Sequence, residues 1–347
     1  EGGWPVRVGA EWARGRAGLE PAPPPAGALV ALRAIDGSWV LGENLEEARA
    51  RAAKVQGRRT TRPVVPPLDL PEGTWDRVLR TSWVEPAYLE PDASWCEPGG
   101  EPASPLANGG AFGAKRDTPV AEAARQLAER TGRAVLAMWT REDTVRLGPK
   151  RPPMAIGVRA DGAGIARVVR TPGIEAAIGS VAPELLVEQV TVPGPPTSSA
   201  LRAAGWAEAA VVLGSLRDAD EATVVAPTGA SATASIGPSG DVEVAVRCGE
   251  VLDEVVLRSY VIGAAHQALG WVCSEGLAVE VDGTIGDLTI RSFGILRSAD
   301  TSSIRVHVEP EAGPPTCGSD AAFAAVACAV WRRLGHPPDW PVGRLPS

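Results

Sequence analysis

Hydrophobic residues along the chain recur at the two spacings that distinguish helices from strands. Residues 120–131 repeat their apolar positions at helical spacing, which places one apolar face along a helix. That face includes Ala123, Leu127 and Ala128. Thr118 as N-cap, with Pro119 at the first helical position, predicts where this helix begins, and Thr131-Gly132 predicts where it stops.

Further helices are predicted from their end signals. Asn44 is a suitable N-cap for a helix with glutamates in its first turn, and we expect that helix to run to Gly57. Another helix is expected over residues 258–275. Near the end of the chain, Asp320 can cap an alanine-rich helix that stops before Gly335, because glycine suits the position after the last turn.

Shorter apolar runs between the helices predict strands. One strand follows from Arg133, and residues 154–170 read as two strand segments around an Asp161-Gly162 turn. A later hairpin is expected to turn at Asp282-Gly283. This alternation of helices and strands predicts a mixed α/β (α+β) fold.

Clusters of proline and glycine interrupt the pattern and indicate connectors between units. They fall at residues 21–27, 62–73, 97–105 and 193–199. We divide the chain into an N-terminal α/β unit at 1–80, a second unit at 81–195 and a third at 196–347, and we place the last boundary at the break at 193–199.

The charge and the cysteine content exclude several classes of function. Among 347 residues, 34 basic side chains are outnumbered by 42 acidic ones, and a net charge of −8 repels nucleic acid and anionic lipid. No apolar run reaches the roughly 18 residues of a membrane span.

The five cysteines are scattered without a CxxC pair, so we interpret them as small buried hydrophobes in a reducing, cytoplasmic compartment.

The loop NGGAFGAK, at residues 108–115, has an unusual composition. It fails as a phosphate-binding P-loop, because Ala114 and Arg116 stand where that motif needs a glycine and a hydroxyl residue. Its glycines around Phe112 would let backbone amides approach an anionic or heteroatom-rich ligand. The alternative is a tight turn that leads into the helix at Pro119. The three histidines lie too far apart in sequence to predict a metal site.

The motifs around this loop resemble, in their order, the molybdopterin-binding subunit of the xanthine dehydrogenase family. That family has a GGGFGGK loop, an alanine-rich helix, a WTREE-like strand and an Arg-Pro, and this chain has NGGAFGAK, VAEAARQLAERTGR, AVLAMWTRED and KRPP. AYLEP at 87–91 resembles the family's HLEP segment, and residues 257–277 resemble its GQxxGGxxQGLGxALxEE helix. The ending at 313–335 resembles the family's GEPP ending, and the matches begin at Ala28.

The resemblance implies a shortened molybdopterin-subunit scaffold. Its unit at 1–80 resembles the family's first domain, and the units at 81–195 and 196–347 are its two molybdopterin-binding-like domains. In this family a molybdenum ion on a pterin dithiolene hydroxylates an electron-poor carbon, and a glutamate is the general base. The matching cofactor-loop residues are Gly109, Gly110, Ala111, Phe112 and Gly113. Arg151 matches an arginine that orients substrate, although on its own it reads as a surface arginine before a proline. Iron–sulfur and FAD centres are expected only on partner chains.

Three departures from the family fall on its cofactor contacts. The family's GEPP becomes AGPP at 312–315, so Gly313 stands in the place of the catalytic glutamate. Glu311 lies two residues earlier and could serve as the base only if the loop shifts; it otherwise reads as a solvated loop carboxylate. Only about twenty residues separate AYLEP from NGGAFGAK, where the family has a long segment with a glutamine that contacts the metal's oxo ligand. Residues 174–224 contain no counterpart of the family's GQG-type pterin contact.

These observations leave three interpretations. The one we prefer is a non-catalytic companion of a full-length molybdopterin subunit, in a complex with an iron–sulfur subunit and an FAD subunit. The second is a catalytic molybdopterin subunit that hydroxylates a heterocycle or an aldehyde. The third is a free-standing small-molecule binding protein on the same scaffold. The sequence decides neither the substrate nor whether this chain itself holds the molybdenum cofactor.

Overall fold

The computed structural model describes residues 21–53, 63–86, 88, 90–106, 111–116 and 118–346 of the chain. Its helices are α1 (Leu45–Ala52), α2 (Val120–Thr131), α3 (Arg141–Leu147), α4 (Ile174–Gly179), α5 (Trp206–Gly214), α6 (Glu254–Cys273) and α7 (Gly318–Arg333). Its strands are β1 (Leu29–Arg33), β2 (Trp39–Gly42), β3 (Arg77–Thr81), β4 (Ala93–Cys96), β5 (Val135–Met138), β6 (Met154–Val158), β7 (Gly164–Val169), β8 (Leu185–Val190), β9 (Ala222–Val225), β10 (Ser231–Ile236), β11 (Val242–Arg247), β12 (Ile304–Val308) and β13 (Asp339–Trp340). Short 3₁₀ turns lie at Ala111–Gly113, Ile290–Ser292 and Ser298–Asp300.

The first sheet has the strand order β2-β1-β5-β4, with β1 and β5 parallel and the other neighbours antiparallel. Helix α2 buries its predicted apolar face against this sheet. Burial of that face removes apolar surface from water, which holds the helix in place. The predicted start is one residue too early, because the helix begins at Val120 and Pro119, not Thr118, occupies the N-cap position; the Val120 N–H donates to the Thr118 hydroxyl at 3.3 Å. The position of α2 fixes the end of the loop that precedes it.

The second sheet, in the order β13-β3-β6-β7-β8, joins strands from distant parts of the chain. Strands β6 and β7 form the predicted antiparallel pair, and their turn is closed by the Ala163 N–H, which donates to the Asp161 carboxylate at 3.0 Å. The C-terminal strand β13 lies parallel to β3, and Arg80 donates two hydrogen bonds of 2.7 Å to Asp339. These bonds fasten the end of the chain to the edge of the sheet.

The third sheet, in the order β12-β11-β10-β9, packs with α5, α6 and α7 around the largest core. Helix α7 contacts both α6 and β10, and 13 of its 16 residues are buried. Its many alanines let the neighbouring backbones approach closely, as its composition suggested. Trp271 of α6 stacks on Phe323 of α7, with ring centroids 5.0 Å apart.

The first predicted helix is shorter than expected. Asn44 caps α1 as predicted, and its side chain accepts from the Glu47 N–H at 2.9 Å. The prediction that the helix reaches Gly57 is wrong, because Ala53 adopts the left-handed conformation and ends α1 at Ala52. Residues 54–62 lie outside the described ranges.

Two predicted N-termini are also corrected. Helix α6 begins at Glu254 rather than near residue 258, because the Asp253 side chain accepts from the Val256 N–H at 3.0 Å and caps it there. Asp320 does not cap the last helix, since α7 already begins at Gly318 and Asp320 lies within its first turn.

The predicted turn at Asp282-Gly283 is present, and the Glu280 N–H donates to the Thr284 carbonyl across it at 2.9 Å. Only a single bridge, between Val279 and Ile285, flanks this turn, so it does not extend into a full hairpin. The fold is the mixed α/β class that the sequence predicts. The boundaries after residues 80 and 195 stay predictions.

Cys96, Cys248, Cys273 and Cys328 are buried, as their scattered positions suggested, whereas Cys317 is exposed beside the start of α7. Within the described ranges, no three His, Cys, Asp or Glu side chains lie close enough together to hold a metal ion. None of the helices in the same ranges has both the length and the apolar character needed to cross a bilayer.

Candidate functional site

A cleft of about 1720 Å³ lies where the Phe112 loop, residues 199–203 and the N-terminal ends of α6 and α7 meet. Small-molecule pockets usually enclose roughly 300–1,000 Å³, so this cleft has room for a large organic ligand. Its charged lining residues are Lys115, Arg116, Arg202, Asp92, Glu250, Asp253 and Asp320. Burial raises the pKa of the Asp92 carboxyl and lowers the pKa of the Lys115 amine.

The described part of the predicted cofactor loop lines this cleft. Phe112 has a left-handed backbone, with φ of 56°, and Gly113 follows with φ of 94°. The loop is anchored by the Arg202 N–H, which donates to the Phe112 carbonyl at 2.9 Å. A Cβ at position 113 would overlap the Ala200 carbonyl oxygen, so glycine is needed there for packing within the protein. Gly109 and Gly110 lie outside the described residues, and cofactor contact by this loop stays a prediction.

Replacing Gly113 with alanine is expected to destabilise the fold by more than about 2 kcal/mol, because both the positive φ and the contact with Ala200 oppose a side chain. Chemical denaturation of the purified chain measures this loss. Gly179→Ala is the matched control, since a Cβ at 179 meets no atom within 4 Å. Equal stability of the two variants would contradict the packing role of Gly113.

Arg202 connects the loop to both helices that border the cleft. Its guanidinium lies 4.8 Å from the centroid of the Phe112 ring and 3.2 Å from the Asp320 carboxylate of α7. It also donates to the Gln267 side-chain oxygen of α6 at 2.7 Å. Burial lowers the pKa of Arg202, and the nearby Asp320 carboxylate opposes this effect. Asp320, predicted as a cap, therefore holds the arginine that supports the Phe112 ring.

Arg151 lies inside the protein, next to the cleft. Its residue exposure is 7%, so the interpretation as a surface arginine is wrong. The guanidinium donates to both oxygens of Glu208, at 2.7 and 2.9 Å, and lies 4.0 Å from the centroid of the Trp271 ring. Two further hydrogen bonds go to the carbonyls of Arg202 and Ala203. A substrate-orienting role stays a prediction, and the contacts observed are with the protein itself.

Glu311 and Gly313 do not line the main cleft but lie on an adjoining surface recess of about 560 Å³. Both residues are exposed. The Glu311 carboxylate accepts from the Gly249 N–H at 2.7 Å, which holds it against the protein backbone. Gly313 has φ of 123°, a conformation that side chains other than glycine rarely adopt. Position 313, where the resemblance puts a glutamate, therefore has a backbone conformation in this chain that suits glycine.

Glu275, which sequence reasoning did not single out, lines a second and smaller pocket behind Phe112. Its residue exposure is 9%, and burial raises the pKa of its carboxyl to about 8. A Cβ at Gly270 would overlap its Oε1 atom, so α6 has a glycine at the point where the carboxyl lies. The signals in the sequence were an acidic residue soon after a mostly apolar helix and its place within residues 257–277, the segment that resembles GQxxGGxxQGLGxALxEE.

Sequence reasoning also missed a buried ion pair between Lys150 and Glu85, in addition to that of Arg151 with Glu208. Lys150 Nζ lies 2.9 Å from Glu85 Oε2, and both side chains are fully buried. The amine also donates to the carbonyls of Thr144 and Gly148, at 2.9 and 2.6 Å. The KRPP motif therefore places two neighbouring cations, Lys150 and Arg151, inside the protein.

The fold is similar to that of two solved oxidoreductases. Quinoline 2-oxidoreductase from Pseudomonas putida 86 superposes with a TM-score of 0.57 at 9% identity, over 78% of this chain and 75% of that chain. Reconstituted CO dehydrogenase from Oligotropha carboxidovorans gives a TM-score of 0.53 at 8% identity, over 73% and 70% of the two chains. No protein-family model and no curated protein matches the sequence. At these identities the similarity is one of fold.

Proposed function

We propose that this chain is a cytoplasmic component of a molybdenum hydroxylase-type oxidoreductase, in which it accompanies a full-length molybdopterin subunit without performing the chemistry itself. The ordered motifs from residue 28 to 335 and the fold shared with two oxidoreductases support the first part. Iron–sulfur and FAD centres would lie on partner chains.

The position of Gly313 is the observation that carries the non-catalytic role. It stands where the resemblance puts a catalytic glutamate, in an exposed loop whose backbone favours glycine. Glu311 does not replace it, because this carboxylate lies outside the main cleft and bonds to the Gly249 N–H. A general base has to reach the reacting atom, and neither residue is placed to do so in the cleft.

The cleft is large enough for an anionic, heteroatom-rich cofactor of the molybdopterin type, but the charges of its lining do not fit one. Three cationic side chains, at Lys115, Arg116 and Arg202, face four carboxylates, at Asp92, Glu250, Asp253 and Asp320. Arg202 already pairs with Asp320, and this carboxylate also lies in the first turn of α7, where it takes the place of a bound anion. A companion chain that leaves the cofactor to a full-length subunit needs no anion-binding surface in this cleft.

The size of this cleft also favours a second candidate, a catalytic molybdopterin subunit that hydroxylates a heterocycle or an aldehyde. The volume of about 1720 Å³ leaves space for a substrate beside a cofactor. This candidate needs a base other than residue 313. The two candidates therefore differ in whether the isolated chain retains molybdenum and turns over a substrate.

Elemental analysis of the chain, purified alone and again with its native partners, tests the proposal. We expect molybdenum and iron to appear only when larger chains co-purify, since the electron-transfer centres are placed on those chains. Stoichiometric molybdenum on the isolated chain would overturn the companion role and favour the catalytic candidate. A chain that carries no molybdenum and co-purifies with no larger subunit would contradict both.

A further inference from the structure

The small pocket behind Phe112 is separate from the main cleft but shares part of its wall. It has a volume of about 50 Å³, and Phe112, Leu201 and Arg202 line both spaces. Its other lining residues are Val84, Glu85, Pro86, Arg151, Gln267, Trp271, Glu275 and Phe323. The pocket, which we call the inner pocket, therefore lies one side chain away from the cleft.

The cations around the inner pocket already have anionic partners. Arg151 is neutralised by Glu208, at 2.7 Å, and Arg202 lies 3.2 Å from Asp320. Four N–H donations of Arg151 go to Glu208 and to backbone carbonyls. A guanidinium has five N–H groups, so little donor capacity remains for anything in the pocket.

The acceptors of the pocket are, in contrast, largely unused. The Glu275 carboxyl has neither a hydrogen-bond donor nor a cation as partner in the described part of the chain, and burial alone raises its pKa. Glu85 is neutralised by Lys150 at 2.9 Å, but neither of its oxygens accepts a hydrogen bond of good geometry. The charged groups that face the pocket are thus two arginines with partners, one glutamate with a partner and Glu275.

We propose that the inner pocket is a binding site for an ammonium-sized monovalent cation that donates hydrogen bonds, either free or as the head of a primary amine. Such a cation supplies the counter-charge and the donors that Glu275 lacks. A volume of about 50 Å³ admits a group of this size and excludes a bulky quaternary ammonium.

Binding is coupled to the ionisation of Glu275, because the cation pairs with its carboxylate form. Affinity therefore rises as pH approaches the carboxyl's pKa of about 8 in the absence of the cation. The site is independent of molybdenum, and its test requires only the purified chain.

Thermal unfolding at pH 8, near the pKa of Glu275, provides the test. The wild type is compared in chlorides of ammonium, methylammonium and tetramethylammonium at equal ionic strength. We expect ammonium to raise Tm by on the order of 2–4 °C relative to tetramethylammonium. A similar rise with methylammonium would identify an amine head as an accepted ligand, and a rise with ammonium alone would restrict the site to the free ion.

Two variants make the test specific. Glu275→Gln should abolish the difference between the salts whatever its own Tm, and Glu311→Gln, at an exposed carboxylate, should retain it. Equal Tm values of the wild type in all three salts would overturn the proposal. An ammonium effect that survives in Glu275→Gln would overturn it as well.

Discussion

Replacing Glu275 with glutamine is expected to remove a large pH dependence from the stability of this protein. The carboxyl is buried, no cation among the described residues pairs with it, and its pKa in the folded chain is about 8 against an ordinary value of 4.5. Below pH 4.5 the carboxyl is protonated in both the folded and the unfolded chain, so folding buries a neutral group and removes no charge from water. As pH rises toward 8, only the unfolded chain ionises, and the folded chain loses stability.

The size of this effect follows from the same two pKa values. At roughly 1.4 kcal/mol per pH unit, the loss approaches 4–5 kcal/mol once pH exceeds about 8. Glutamine has nearly the shape of glutamate and no charge, so the variant should lack this decline. Urea denaturation from pH 5 to pH 9, in a tetramethylammonium buffer, measures the free energy of unfolding of both proteins.

The comparison between variants isolates Glu275 from other titrating groups. Glu311→Gln is the control, because this carboxylate is exposed, and its stability profile should follow that of the wild type. Parallel profiles for the wild type and Glu275→Gln would show that the carboxyl is not the buried acid that the structure describes.

Glu208→Gln is expected to destabilise the protein by about 3–5 kcal/mol, the usual cost of leaving one partner of a buried ion pair without its counter-charge. The side chains of Arg151 and Glu208 have exposures of 8% and 0%, so water cannot replace the lost carboxylate. The guanidinium would keep its contact with the Trp271 ring but lose the carboxylate with which it pairs among the described residues. Denaturant unfolding near neutral pH measures the loss.

Two further variants define the cause of that loss. The double variant Arg151→Met/Glu208→Gln should recover part of the stability, because it removes the uncompensated cation as well. Glu243→Gln breaks the exposed pair with Arg305 and should leave the unfolding free energy close to that of the wild type. If the double variant is less stable than Glu208→Gln, the desolvated charge is not the main cost.

Local signals in the sequence predicted the local structure well. The Asn44 cap, the apolar face of α2 and the turn at Asp161-Gly162 depend on residues a few positions apart, and all three are confirmed. Helix ends were less predictable. Asp320 was a reasonable cap by residue type, but Arg202 binds it from a distant segment, and α7 begins before it.

The candidate site could be predicted only in outline. The NGGAFGAK loop was identified from its glycines, and its described residues do line the cleft. Glycine is needed at position 113 because the carbonyl of Ala200 packs against it. Ala200 is distant in sequence, so no local motif could predict this contact. Glu275 was overlooked because nothing near it in sequence distinguishes a buried carboxyl from a solvated one.

The sequence by itself determined the elements whose ends and faces are encoded locally, the mixed α/β class, and the order of motifs that resembles a molybdopterin subunit. Only the tertiary structure decided which polar groups are removed from water and which partners they find there. Arg151 and Glu208 meet inside the protein, whereas Glu275 is buried with no partner within the ranges that the structure describes. The physical reason is that the cost of desolvating a charge, and any compensation for it, depend on segments distant in sequence that folding brings together.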